Sequence, residues 1–317
     1  MSAPVAGIPF TVIGGFLGSG KTTLLNRLLR SEQPMRLAAL VNDFGAINID
    51  SAAIAAVHGD TIALTNGCVC CSIGDDLSQA LIKVIDATPS FDGILVEASG
   101  VSDPWRIAQL GMAAPELRLD SVIVVVDAFA VLSQAEDRLL ADALRTQLRH
   151  ADLLILNKAE LVSEQALGDV KAWLYKETQG RPCIPASFCD VPQGVLTGAA
   201  LKTSARVLSD GVHESHLSQY ETWAHKPEGT FPLSAWREWL DRMPPGVLRL
   251  KGWILSSDHG WHELQVAGMR SSWQPVDAAP DAQSSVVAIG LNGRLPLPWL
   301  VQMPGLSRQP SGLTAWM

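Results

Sequence analysis

Apolar residues along this chain keep two rhythms, and the alternation between them predicts the fold. Short continuous runs, Ile8 to Ile13, Leu37 to Asn42, Gly93 to Glu97, Ser121 to Asp127 and Leu153 to Asn157, read as strands. Between them the spacing widens to three and four residues. Lys21 to Arg30 carries leucines at 24, 25, 28 and 29, and a second helical face holds Leu77, Ala80, Leu81, Val84 and Ile85. Strands alternating with helices predict an α/β domain with a mostly parallel sheet and helices on both faces. Ligands of such sheets sit at the carboxyl ends of the strands, so the residues that close each run are the ones to inspect for chemistry.

After about residue 195 the pattern changes. A polar spacer from Gly211 to Pro227 holds three histidines, then come a helical stretch from Leu233 to Arg242, a Pro-Pro-Gly break at 244–246, and strand-like runs at Val247 to Leu255 and His262 to Val266. Eight of the ten tryptophans lie from Trp223 onward, more readily as core than as docking anchors. The expected organisation is a first domain over 1–205, a linker over 206–217, a smaller C-terminal α/β domain over 218–305 and a tail over 306–317.

Composition narrows the function. With 317 residues, of which 47% are hydrophobic, the chain can bury two cores. Its net charge of −8 and lack of a Lys/Arg cluster argue against a nucleic-acid surface. The longest apolar stretch, Val122 to Leu132, is broken by Asp127, so no membrane span is expected. No basic residue precedes Lys21, so no targeting segment is expected and the cytoplasm is the expected compartment. Of five cysteines, three fall within four positions, which suggests a metal or redox site rather than a disulfide framework.

The first strand run leads into Gly15-Phe16-Leu17-Gly18-Ser19-Gly20-Lys21-Thr22, which fits the phosphate-loop pattern at every fixed position. Its glycines let backbone N–H groups close on a polyphosphate, Lys21 neutralises the β- and γ-phosphates, and the Thr22 hydroxyl ligates Mg²⁺. Glu97 ends another strand as the acidic Mg²⁺-side residue, and the N–H of Gly100 is placed to meet the γ-phosphate. Lys21 and Glu97 are the catalytic candidates. Asn157-Lys158-Ala159-Glu160 closes the fifth run and fits a base-reading position: a carboxylate there accepts from guanine N1–H and the 2-amino group, whereas adenine offers an acceptor at N1 and no amine at C2. No catalytic glutamine or arginine finger stands out, so turnover without a partner is expected to be slow.

The metal candidates follow two other strands. Asp43, in Asn42-Asp43-Phe44-Gly45, is placed to ligate a metal, to order a switch loop, or to be an ordinary turn carboxylate. Cys68, Cys70 and Cys71 are close enough to converge on one soft or borderline cation such as Zn²⁺, with a fourth ligand from Asp43 or from a client protein. A redox trio and three core cysteines are the alternatives. Cys183 and Cys189 read as plain buried residues. His213 and His216 share the spacing of one turn but read as solvated, and His225, His259 and His262 form no constellation.

Together these motifs resemble the CobW-type phosphate-loop GTPases. The matching stretches are Gly14 to Thr23, Asn42 to Gly45, Gly67 to Cys71, Glu97 to Gly100 and Asn157-Lys158, with Leu248 to Gly252 resembling the start of that family's C-terminal domain. The resemblance implies a phosphate-loop NTPase fold, with Thr23 part of the nucleotide-binding stretch. It further implies GTP hydrolysis coupled to delivery of a transition metal to a client metalloprotein. Zinc is favoured, with cobalt and iron as the alternatives, and a homo-oligomer is compatible. The chain departs from the family pattern at Asp43, where Glu is usual, at Ala46, where many members carry a second acidic residue, and in a histidine tract reduced to His213, His216 and His225; Glu160 stands where the base-reading position of GTPases usually has Asp. Two rival functions use the same residues: a redox switch built on the three cysteines, and a nucleotide-gated interaction module in which they are structural.

Overall fold

A computed structural model of the chain describes residues 7–30, 35–42, 61–64, 73–197, 220–279 and 283–306. Asp43, Cys68, Cys70, Cys71, His213 and His216 lie outside them. The five strand-like runs all pair. With two shorter strands they form one seven-stranded sheet from β1 (Ile8–Gly15), β2 (Leu37–Asn42), β3 (Thr61–Leu64), β4 (Gly93–Glu97), β5 (Leu117–Asp127), β6 (Leu153–Asn157) and β7 (Cys183–Pro185). The order is β3-β2-β4-β1-β5-β6-β7 and every pairing is parallel. β5 begins at Leu117, earlier than its apolar run, because Asp120 is tolerated inside: it is buried and accepts from the Thr11 hydroxyl at 3.2 Å, beside the register shift between Phe10 and Thr11.

Seven helices of this unit are described: α1 (Lys21–Leu29), α2 (Ile73–Ile85), α3 (Pro104–Met112), α4 (Val131–Glu136), α5 (Ala141–Arg149), α6 (Glu164–Glu177) and α7 (Gln193–Leu196). Local chemistry sets their starts. Asp103 accepts the N–H of Trp105 at 2.9 Å with Pro104 in the first turn of α3, and Ser163 accepts that of Ala166 at 3.2 Å for α6. Phe10, Val12, Leu40, Val84, Val96, Ile107, Val124, Leu148 and Leu174 belong to one continuous core.

The second compact unit is built on β8 (Tyr220–His225), β9 (Val247–Ser256), β10 (Gly260–Ala267), β11 (Arg270–Pro275) and β12 (Ser285–Leu291), in the order β11-β10-β9-β12-β8. β12 runs antiparallel to both β8 and β9. The polar spacer read from Gly211 to Pro227 thus ends in a strand: Tyr220 to His225 pairs along β12 because edge strands tolerate polar residues on their open side. Two helices pack here, α8 (Leu233–Asp241) and α9 (Leu297–Leu300). α8 lacks a cap of its own, and Asp258, from the β9–β10 turn, accepts the N–H of Leu233 at 2.9 Å instead.

Trp236, Trp239 and Trp299 are core, and Trp223 and Trp273 are partly buried against them. Trp239 and Trp299 stack at 4.2 Å, and each indole N–H donates to the other residue's carbonyl, at 3.1 and 2.9 Å. Trp236, Leu250, Ile254, Leu264, Val266, Val286 and Ala288 complete that cluster. Strand alternation sends Arg249 and Lys251 of β9 and Glu263 and Gln265 of β10 to the opposite face, where all four are buried and Lys251 Nζ lies 2.6 Å from Glu263 Oε1.

Candidate nucleotide site

β1 runs out at Gly15 and α1 starts at Lys21, so the phosphate loop spans the gap between a buried strand and a helix N-terminus. Two of its glycines are sterically required. At Gly15, φ is 138° and a Cβ would lie 2.4 Å from the Val125 carbonyl; at Gly20, φ is 113° and a Cβ would lie 2.4 Å from Asn157 Nδ2. Ser19 is buried between them, whereas Gly18 and Leu17 are exposed at the tip. Lys21 is buried, with Nζ donating to the Phe16 carbonyl at 3.2 Å, so its charge lies along the loop.

Register brings the acidic residue to the same place. Ile13 of β1 pairs with Glu97 of β4, and the Thr22 hydroxyl donates to Glu97 Oε1 at 3.1 Å. A hydroxyl and a carboxylate at this separation are hard oxygen donors of the kind Mg²⁺ takes, so these two residues fit the ion the motif implies. Past Glu97 the chain makes a turn in which the Ser102 N–H and hydroxyl both donate to the Ser99 carbonyl, at 3.2 and 3.1 Å. Gly100 sits in that turn against the phosphate loop, where a Cβ would be 2.9 Å from Leu17 N. Gln147 of α5 donates from Nε2 to the carbonyls of Gly100 and Ser102, both at 3.1 Å.

The base-reading side is tied to the phosphate loop by one amide. Asn157 Nδ2 donates to the Ser19 carbonyl at 2.8 Å, while Asn157 Oδ1 accepts the Cys189 N–H at 2.8 Å. Cys189 Sγ donates in turn to the Gly20 carbonyl at 3.3 Å. Burial pushes this thiol up to about 12 against the opposing pull of Arg27, so it stays protonated and keeps donating at neutral pH. The loop that carries it is bent: Phe188 and Cys189 have φ of 53° and 56°, a left-handed pair that costs about 1–2 kcal/mol per residue. Asp190, 2.8 Å from Arg27, helps to hold it. Lys158 is also left-handed, with φ 61°, and its Nζ meets Asp127 Oδ2 at 2.6 Å. Glu160 follows in a 3₁₀ turn, Ala159–Leu161, exposed to accept from a base edge.

Ser19, Gly20, Lys21, Thr22, Glu97, Gly100 and Asn157 are thus connected through these contacts. Thr23 is exposed on α1. The described residues hold no group of three or more His, Cys, Asp and Glu side chains that could bind a metal ion. Three contributors went unread in the sequence. Asp127 had a signal, since it closes β5 as Glu97 closes β4, but it was read only as a break in an apolar run. Gln147 and Cys189 had none, because their partners lie 47 and 169 residues away. Cys189 is buried as expected, yet it bonds the phosphate loop.

Comparison with known proteins follows the same lines. Residues 9–185 match the family described as CobW/HypB/UreG, nucleotide-binding domain, and residues 220–294 match the Cobalamin synthesis protein cobW C-terminal domain. The chain is 32% identical over 244 residues to the zinc chaperone CobW of a Sinorhizobium species, covering 68% of each. It is 33% identical over 179 residues to zinc-regulated GTPase metalloprotein activator 1 of Schizosaccharomyces pombe, covering 53% of this chain and 43% of that one. The zinc chaperone YjiA of Escherichia coli is 33% identical over 165 residues, which span 50% of this chain and 51% of YjiA. The crystal structure of Zn(II)-bound YjiA aligns with a TM-score of 0.43 at 18% identity, over 94% of this chain and 99% of that one. With its phosphate loop, its parallel sheet and matches to both domains, the chain belongs to the CobW/HypB/UreG family.

Proposed function

We propose that this protein is a GTP-hydrolysing metallochaperone that takes a transition metal, zinc by preference, and passes it to a client metalloprotein in step with its nucleotide state. As a family member it is a phosphate-loop GTPase. Cys68, Cys70 and Cys71, with Asp43, hold the metal as cargo. Zinc is favoured over cobalt and iron because thiolates suit it and because several relatives carry zinc in their names.

One observation supports the coupling above the rest. In the sheet Val41 pairs with Glu97 and Asn42 with Leu64, so β2, β3 and β4 end side by side. The segment bearing Asp43 therefore follows directly on the strand that neighbours β4 and its Glu97, and the segment bearing the three cysteines follows β3, one strand further out. Any reordering at the γ-phosphate is felt where those segments begin.

The other roles belong to the same reading. Gly15, Gly18, Ser19, Gly20, Thr22 and Thr23 line the phosphates. Lys21 supplies positive charge to them, and Thr22 with Glu97 takes Mg²⁺. Mg²⁺, when bound, neutralises charge developing between the β- and γ-phosphates. Gly100 reads the γ-phosphate, while Asn157, Lys158 and Glu160 frame guanine. The working domain bounds are 1–205, 206–217, 218–305 and 306–317. None of the described helices is long and apolar enough to cross a membrane; the cytoplasm is the place of work in this reading.

Steady-state hydrolysis tests the reading. With Mg²⁺, GTP is turned over and ATP is not, and adding one equivalent of Zn²⁺ changes the GTP rate in wild type but not in a Cys68/Cys70/Cys71→Ala variant. A rate indifferent to Zn²⁺ in both proteins contradicts the coupling.

A further inference from the structure

The turn after Glu97 is the part of the site that must tell GTP from GDP, and its own bonds are few. Ser102 closes it on the Ser99 carbonyl. Val101 at its tip is 63% exposed, so no packing fixes the tip. Among the described residues, a side chain from another element, Gln147, bonds its far side. Gln147 is 1% exposed on α5, a helix anchored by buried Ala141, Leu144 and Leu148 and tied to α6 by Arg145 and Glu177 at 3.1 Å.

Chemistry fixes the orientation of that amide. Both hydrogens of Nε2 go to carbonyl oxygens, one on Gly100 and one on Ser102, and the flipped amide would face two acceptors with a third. Gln147 Oε1 is buried and has no donor among the described residues. The side chain is therefore kept in place by what its nitrogen does for the turn. The pinned carbonyls bracket Val101, and the Gly100 N–H belongs to the same residue as the first of them. With Gly100 seated on Leu17 of the phosphate loop, that bracket sets where its N–H points.

We propose that Gln147 is the positioning residue for γ-phosphate recognition: by latching the Gly100 and Ser102 carbonyls to α5, it holds the Gly100 N–H ready for GTP. The inference rests on the GTPase reading above and on the role of Gly100 within it. It requires that losing the latch weaken GTP and spare GDP, because GDP lacks the phosphate this turn would meet.

The test uses the full-length protein and Gln147→Met, which keeps the volume and removes the donor. Affinities for GDP and for a non-hydrolysable GTP analogue are measured together with kcat and KM. The variant is expected to bind GDP as wild type does, to bind the analogue about tenfold more weakly for the two lost hydrogen bonds, and to lose kcat by at least as much. Equal weakening of GDP and analogue marks a merely structural role and overturns the proposal, as does an unchanged analogue affinity. Should Gln147→Met fail to fold, the Gln147 side-chain amide resonances of the wild type serve instead. They are expected to differ between the GDP and analogue states, and identical resonances overturn the latch. A wild type that binds no guanine nucleotide overturns the parent reading, whereas a wild type that hydrolyses GTP beside an unaffected variant overturns this inference alone.

Discussion

In the parallel sheet, polar side chains stand at the carboxyl ends of strands: Glu97 closes β4, Asp127 closes β5 and Asn157 closes β6. In the antiparallel sheet they stand in mid-strand, with Arg249 and Lys251 inside β9 and Glu263 and Gln265 inside β10. The cause is geometric. A parallel strand covered by helices on both faces favours polarity at its ends, and the polar pair inside, Thr11 and Asp120, is buried with a hydrogen bond between them, whereas strands of a mixed-face sheet alternate between an apolar face and a second one. The consequence is a division of labour. End-of-strand groups in the first unit bond to neighbouring loops, whereas in the second unit the mid-strand charges Lys251 and Glu263 pair with each other.

That division can be broken by substitution, and the largest effect is expected at the nucleotide. Lys21→Ala is expected to cut GTP hydrolysis about a thousandfold through lost electrostatic stabilisation, with the melting temperature little changed. A melting temperature that collapses with activity would erase the distinction between the two regions. Lys251→Met is expected to do the reverse. Removing one partner of a buried ion pair leaves Glu263 desolvated and costs about 3 kcal/mol of stability, while affinity for GTP holds. The double change Lys251→Met with Glu263→Leu restores most of that stability, as urea titrations will show.

Cys189→Ala sharpens the comparison from a third side. The residue sits in the loop after β7 and bonds the phosphate loop, so it should behave as an end-of-strand group. Affinities for GDP and GTP are expected to fall together by about fivefold, near 1 kcal/mol, in isothermal titration. Loss of stability with unchanged affinity would return it to the plain core.

The smallest effects are in pH, and the two units should fail on opposite sides. The thiols of Cys183 and Cys189, desolvated in the first unit, rise from 9.0 to about 12. The stability they contribute is whole below pH 9 and is lost as pH climbs towards 12. Asp258 in the second unit is held down from 3.8 to about 2, first by the Leu233 N–H and then by His259 beside it. Its contribution is present above about pH 4 and fades as pH falls towards 2. Unit-resolved hydrogen exchange across pH checks both directions.

The sequence exposed the half of this arrangement that is local. Glu97 and Asn157 announce themselves because each ends an unbroken apolar run, and the phosphate loop because its spacing is rigid. β8 was hidden by its polar content, and the first residues of β5 by Asp120, since a hydrogen bond from Thr11, 109 residues away, is what lets that carboxylate lie inside. Gln147 and Cys189 were illegible for the same reason: their meaning comes from carbonyls that only tertiary folding brings near. The tryptophans were read correctly as core for Trp236, Trp239 and Trp299, where density of aromatic residues near one helix was enough.

The central claim is that metal affinity at Cys68, Cys70 and Cys71 depends on the nucleotide held beside Glu97. Its most direct test is the stoichiometry and affinity of Zn²⁺ for wild type and for the Cys68/Cys70/Cys71→Ala variant, each with GDP and with a non-hydrolysable GTP analogue. About one Zn²⁺ per chain, with an affinity that shifts between the two nucleotides and vanishes in the variant, is the predicted result, and linkage then requires Zn²⁺ to shift nucleotide affinity by the same factor. Equal Zn²⁺ affinity in both nucleotide states, or binding that survives the loss of all three cysteines, would contradict it.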